Sequence, residues 1–245
     1  MNPLIVVGND VVDLSNPRVH GKASDPRFVA RIISRSERPG LVVATDPDLE
    51  LWCLWAAKEA AYKVTSKVLG TPPVFAHADF RVAWSLRARA EGAGESTVRR
   101  GIVSHQGTTV PVDVVHRPGT LHAVACSEHE AIRPEGITVG VGHLDQEGAP
   151  WQGTMESLKQ RLSEREAEAV HSHTSAAVRL GARAALARAM SVEEERLEIV
   201  CEPGLTGRRP PRVFLDGAAA RADVSLSHDG SWIAWALWAR SGVAR

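Results

Sequence analysis

Short β-branched runs and long stretches of helical period alternate along the chain. Leu4-Ile5-Val6-Val7 is apolar, is broken by Gly8-Asn9-Asp10, and continues through Val11-Val12. This predicts a buried strand with an interruption at the glycine. Residues 13–26 are rich in turn formers, and Phe28 to Ser34 predict a short helix. After Asp46-Pro47-Asp48 a helical period runs to about Leu69, with Asp48 as its expected N-cap and Gly70-Thr71-Pro72-Pro73 as its stop. On that helix Leu54, Ala57, Ala61, Val64 and Val68 form one apolar stripe, and Trp52, Trp55, Glu59, Lys63 and Lys67 lie opposite. Residues 78–126 alternate weakly and predict a strand meander with a Gly/Glu/Ser loop at 91–97. Arg133-Pro134-Glu135-Gly136 carries the turn chemistry of a boundary.

Beyond that boundary the order of elements repeats. Ile137 to Gly142 predict a second glycine-ended strand. Helices follow from about Met155 and from Ala176 to Met190, then strands at 197–200, 212–215, 224–228 and 232–238. The expectation is an α+β protein of two similar subdomains, 1–134 and 135–245. Each would pack a helix on a small antiparallel sheet, the two related by a pseudo-twofold.

Composition narrows the function classes. The 245 residues carry 29 basic and 29 acidic side chains, so no net field favours nucleic acid or an anionic membrane. No apolar run approaches the ~18 residues of a membrane span. The N-terminus lacks the basic region of a secretory signal. Three scattered cysteines argue against a disulfide framework and for a cytoplasmic setting. Lysine is scarce, five against 24 arginines, yet Lys58, Lys63 and Lys67 fall within ten residues. Compact ammonium groups kept in an arginine-rich chain suggest a phosphate met by point charges.

Four groups of residues carry candidate chemistry. The Glu59/Lys63/Lys67 row alone reads as a solvated helix face, but the two tryptophans beside it require a covering layer. Asp10, at a break in a buried strand, is either a turn cap or one half of a hard-oxygen site completed by a second carboxylate such as Glu59. Thr206-Gly207-Arg208-Arg209-Pro210 is a rigid basic turn, and a phosphate clamp is the alternative to a solvated one. Ser225-Leu226-Ser227-His228 ends in Asp229-Gly230, a hairpin signal; alternation puts Ser227 and His228 on opposite faces, and no nucleophile elbow accompanies them.

The order of these groups resembles the 4'-phosphopantetheinyl transferase superfamily: Gly-x-Asp, then Trp-Ala-Ala-Lys-Glu-Ala-x-x-Lys, Gly-Arg-x-Pro and Ser-Leu-Ser-His-Asp-Gly. The motif order is that of the small holo-acyl-carrier-protein synthases, whose sites lie between protomers. The second copy here has lost the acid, since Leu144 of Val141-Gly142-His143-Leu144 answers Asp10. It has also lost the glutamate, since Ala184 answers Glu59. The first copy shows Asp113-Val114-Val115-His116 where the second has Ser225-Leu226-Ser227-His228. Complementary decay implies a fused pseudo-dimer with one working site, expected to be a monomer. The neutral charge balance and the lack of a long apolar run argue against nucleic-acid and membrane partners.

The resemblance implies transfer of 4'-phosphopantetheine from coenzyme A to a serine of an apo carrier protein, with Mg²⁺ and release of 3',5'-ADP. It implies that Asp10 and Glu59 hold the metal, that Glu59 is the general base and that Lys63 stabilises the pyrophosphate. Lys67, Gly207, Arg208, Arg209, Pro210, Ser227 and His228 are implied to bind coenzyme A. Arg18, Lys22, Arg27 and Arg31 are implied to meet the acidic carrier. Asp13 occupies the place of a further family acid, and Leu54 stands where an arginine often contacts coenzyme A. The alternative is a catalytically silent coenzyme A-binding regulatory or scaffold homologue.

Overall fold

The computed structural model describes residues 5–70, 72–85, 89–90, 96–128, 136–204 and 207–239. The expected boundary residues 133–135 and most of the 91–97 loop lie outside these. The chain divides into two compact units, Gly8–Ile132 and Met1–Val7 with Arg133–Arg245. They are called the first and second unit below. Both mix helices with antiparallel sheets, the α+β class.

In the first unit β1 is Val7–Asp13. Helices α1 (Pro26–Ile32), α2 (Arg38–Val43) and α3 (Pro47–Leu69) follow. Then come β2 (Arg81–Trp84), β3 (Arg89–Ala90), β4 (Thr97–His105), β5 (Thr108–Arg117) and β6 (Thr120–Cys126). The sheet runs β1-β6-β5-β4-β2, with β3 beside β4. α3 packs on β5 and β6.

β1 does not break at Gly8. The strand is continuous, and the glycine serves a close approach: a Cβ there would lie 2.1 Å from the Ala60 carbonyl oxygen and 3.0 Å from a Val64 methyl carbon. The absent side chain lets α3 sit against the strand. The N-cap of α3 is Asp46, which accepts the Leu49 N–H at 2.9 Å. Asp48, expected in that role, instead accepts the Gly21 and Ala23 amides at 2.6 and 2.7 Å, fastening the turn before α1. Gly70, left-handed at φ 68°, ends the helix. The burial of α3 is wider than one stripe. Leu51, Cys53, Ala56, Lys58 and Ala60 are buried alongside Leu54, Ala57, Ala61 and Val64, whereas Val68 is 55% exposed. The helix is covered on more than one side until its last turn.

In the second unit β7 is Ile137–His143, followed by α4 (Met155–Gln160), α5 (Glu164–Ala167) and α6 (His173–Met190). Its strands are β8 (Leu197–Val200), β9 (Pro203–Gly204), β10 (Gly207–Arg208), β11 (Arg212–Leu215), β12 (Ala218–Ala219), β13 (Ala222–Asp229) and β14 (Trp232–Ala239). Sheets β7-β14-β13 and β8-β11-β12 form, with β11 against β13, and β9 pairs with β10. α6 packs on β13 and β14. Asp229 pairs with Trp232, so the hairpin turn is Gly230-Ser231, one residue later than the expected Asp229-Gly230.

Candidate active site of the first unit

β1 and α3 meet at Gly8, and alternation points Asp10 to the same face two residues on. Lys63, one turn beyond Ala60, is therefore within reach. Its ammonium donates to the Asn9 carbonyl at 2.6 Å and to Asp10 Oδ1 at 3.0 Å. Glu59 lies four residues before Lys63 on the same helix face. The structure thus brings Asp10 and Lys63, distant in sequence, into contact at one strand–helix junction, with Glu59 one helical turn before Lys63. All three are half-buried. Asp13, by contrast, is a turn acid: its Oδ1 accepts the Ser15 amide at 3.0 Å and the Ser15 hydroxyl.

Glu59 has a partner that the sequence did not announce. His77 Nε2 lies 3.1 Å from Glu59 Oε1. The imidazole is wedged between Trp55 and Phe75, each ring centroid 4.1 Å away. The segment after the α3 stop folds back over the helix, and no local spacing signals which of its residues will land on Glu59.

The tryptophans have their cover. Phe28 lies 5.8 Å from Trp52 and 5.9 Å from Trp55, and Trp52 Nε1 donates to the Val19 carbonyl at 2.8 Å. The segment bearing Arg18, Lys22, Arg27 and Arg31 is in this way clamped onto α3. Arg18, Arg27 and Arg31 are exposed. The Lys22 ammonium and the Arg31 guanidinium cap the Phe28 ring at 5.5 and 5.2 Å.

Lys58 departs from its neighbours. It is fully buried, donating to the Ile32 carbonyl and to Glu37 Oε2, both at 2.7 Å. Burial lowers its pKa, with the Glu37 carboxylate opposing. It is a structural cation, and the lysine cluster of the sequence is not one phosphate site. Lys67 remains half-buried in the last turn of α3, and Leu54 is buried.

Among the described residues no three His, Cys, Asp or Glu side chains cluster as a metal-ligand set. A cation here would have two protein carboxylates at most. That donor set suits Mg²⁺, which keeps waters and takes the rest of its oxygens from substrate phosphates.

The match that bears on this junction spans β1 to β5. Residues 6–115 match the family model of the 4'-phosphopantetheinyl transferase superfamily. Over this segment the chain is similar to that superfamily. The match covers just under half the chain and supports a transferase of the phosphopantetheinyl type. No curated protein matches the chain.

The remaining expected site residues belong to the second unit. Gly207 and Arg208 form β10 in the small hairpin with β9; Arg209 is exposed, and its amide donates to the Glu202 carbonyl at 2.8 Å. Pro210 is exposed, Ser227 is buried on β13, and His228 is exposed near the end of that strand. Among the described residues no helix is long and apolar enough to cross a membrane.

Proposed function

We propose that the chain transfers 4'-phosphopantetheine from coenzyme A to a serine hydroxyl of an apo carrier protein. The observation that carries this reading is the Asp10–Lys63 contact at the Gly8 junction, with Glu59 one turn before Lys63 on the same helix, within the segment that matches the superfamily. A protein that only bound coenzyme A would have no use for a carboxylate held by an imidazole beside an ammonium.

In this reading Asp10 and Glu59 hold Mg²⁺, which supplies charge neutralisation at the coenzyme A pyrophosphate. Glu59 accepts the serine proton, directly or through a water, as the hydroxyl oxygen bonds to the phosphorus nearest the pantetheine. The phosphorus–oxygen bond to the leaving 3',5'-ADP breaks, and Lys63 stabilises the charge that develops there. His77 fixes the orientation of Glu59 from the side of the aromatic stack. The nucleotide end is assigned, on motif grounds, to Lys67, Gly207, Arg208, Arg209, Pro210, Ser227 and His228. The acidic carrier docks on Arg18, Lys22, Arg27 and Arg31, where exposed charge raises association rate more than affinity. The two units are read as a tandem, fused pair of synthase-like copies with one working site per chain, a pseudo-dimer. Their shared strand order supports this.

The test is incubation of the full chain with coenzyme A, Mg²⁺ and a panel of apo carrier proteins. A carrier that gains the mass of phosphopantetheine on its serine supports the reading. No gain on any fatty-acid, polyketide or peptide carrier overturns it.

A further inference from the structure

Away from the Asp10–Glu59–Lys63 junction, the first unit has a concavity of about 470 Å³. Its polar lining is Arg35, Arg38 and Arg81 with the hydroxyls of Ser34 and Ser36. All three arginines are exposed and have no ion-pair partner among the described residues. In a chain with as many acids as bases, three guanidinium groups around one hollow, without an ion-pair partner among the described residues, make a local excess of positive charge. The acid beside them is Asp79, in the adjoining hollow that it shares with Arg81.

The arginines are not scattered surface charges, because one buried carboxylate sets the backbone under each of them. Glu37 Oε2 accepts the Ser34 amide at 2.8 Å, and Arg35 is the next residue. Arg38 directly follows Glu37 itself. Glu37 Oε1 accepts the Val82 amide at 2.7 Å, and Arg81 is the residue before. The Glu37 charge is met by Lys58 at 2.7 Å, so the scaffold offers the arginines no counter-charge. Ser34 and Ser36 hydroxyl oxygens lie 3.1 Å apart, so one donates to the other and one hydroxyl hydrogen remains for a guest.

The second unit builds the same scaffold with different charges on it. Glu166 Oε2 accepts the Ser163 amide at 3.0 Å, Glu166 Oε1 accepts the Ile199 amide at 2.9 Å, and Arg183 lies 3.0 Å from Oε2. The residues corresponding to Arg35, Arg38 and Arg81 are Glu164, Ala167 and Glu198. Glu198 is paired there with Arg165 at 2.8 Å. The scaffold itself therefore does not require arginine; the first unit has placed three on it, none in an ion pair among the described residues.

We infer that Arg35, Arg38 and Arg81 form a binding site for the phosphate group of a phosphomonoester, separate from the Asp10–Glu59–Lys63 junction. Forked guanidinium donors match tetrahedral oxyanions bidentately. Three forks and a hydroxyl offer more donors than the two oxygens of a carboxylate satisfy, whereas a phosphate has three or four oxygens. The hollow exceeds the volume of a bare ion, which leaves room for the group the phosphate is attached to.

Titration calorimetry of the full chain with inorganic phosphate, and separately with 3',5'-ADP, tests this at constant ionic strength. Arg35→Ala/Arg38→Ala/Arg81→Ala should weaken inorganic phosphate binding at least tenfold, and Lys63→Ala should leave one phosphate equivalent bound. If the arginine triple also weakens 3',5'-ADP tenfold, the nucleotide is the source of the phosphate. If only inorganic phosphate responds, a free or non-nucleotide phosphate is. Phosphate binding that is unchanged in the triple variant, or that is abolished by Lys63→Ala alone, overturns the site. The thermal midpoint of each variant establishes that it is folded, and Arg81→Glu, an exposed single change, repeats the measurement if the triple variant is not. Failure of carrier modification with this anion binding intact would count against the proposed transfer and not against the site.

Discussion

The buried pins of the two units are built alike, while the chemistry around them differs. In each unit a glutamate five residues past a carbonyl acceptor and three past a serine amide is buried under a helix cation. Glu37 takes Ser34 N–H, Val82 N–H and Lys58, which also donates to the Ile32 carbonyl. Glu166 takes Ser163 N–H, Ile199 N–H and Arg183, which also donates to the Arg161 carbonyl at 2.7 Å. One residue beyond the helix cation the units part: Glu59 in the first, Ala184 in the second. The strand glycines part as well. Gly8 admits helix α3 beside Asp10, whereas added Cβ atoms at Gly140 and Gly142 would lie 2.3 Å from the rings of Trp235 and Trp151. Where the first unit keeps a polar junction, the second packs indoles. Framework and function are therefore separable in this chain: the pin is a demand of folding, and the junction is not.

The largest effect should come from the pins. Each glutamate satisfies two backbone amides and one buried cation. Removing Glu37 leaves the Lys58 charge uncompensated, at about 3–5 kcal/mol, while removing Glu166 leaves Arg183 its second carboxylate, Glu194, and strands the two amides. Glu37→Ala should lower stability by that order in denaturant unfolding, and Glu166→Ala by less, because Arg183 keeps Glu194. The comparison sharpens with the cation. Arg183 also reaches Glu194 at 3.4 Å, so Arg183→Lys gives up more bonds than Lys58→Arg gains. If Glu37→Ala is silent while Glu166→Ala unfolds its unit, the two pins do not do the same work.

This difference also marks what the sequence disclosed. Helices α1, α3, α4 and α6 and the strand meander follow from apolar period and turn residues. The candidacy of Asp10, Glu59 and Lys63 came from the order of the motifs and the resemblance it carries, since each signal alone also reads as a turn cap or a solvated helix face. Lys58 counts in the sequence as one of three ammonium groups for a phosphate, and only the fold shows that a carboxylate 21 residues upstream takes it. Asp48 was misplaced because two acids flank Pro47 and either satisfies the capping pattern; only the tertiary position of the Gly21 turn separates them. His77 was invisible for the same reason. Its role depends on where the chain lands after Pro73, a long-range contact with no periodic signature.

The junction supplies the next effects. Glu59→Gln removes the proposed proton acceptor and one carboxylate charge, and carrier modification should fall at least about a hundredfold, or about 2.7 kcal/mol of barrier. Asp10→Asn should behave similarly. Ala184→Gln, the corresponding position of the second unit, should leave the rate within about twofold where the protein remains folded. Equal losses at Glu59 and Ala184 would erase the distinction between the units. His77→Ala should be milder, about tenfold in kcat with the coenzyme A KM little changed. His77→Asn, which keeps a donor toward Glu59, should recover part of it. A change confined to KM would instead make His77 part of the binding surface.

The smallest effect concerns the thiols and probes how tightly each unit is closed. Cys53 on α3 is buried, and burial pushes its thiol up to about 12, against an opposing Arg99 guanidinium. Burial likewise raises the pKa of Cys126 on β6. Cys201, in the second unit, is only partly buried and receives a hydrogen bond from Arg179 at 3.3 Å. Thiolate is the reactive form, and at neutral pH a thiol of pKa 12 holds only about one part in 10⁵ of it. Native protein at pH 7 should therefore take one equivalent of a maleimide, at Cys201, and unfolded protein three. Rapid labelling of Cys53 in the native state would mean that α3, which carries Lys58 of the pin and Glu59 and Lys63 of the junction, opens far more readily than its packing implies, and Glu37→Ala should raise that labelling rate if the pin is what holds it closed.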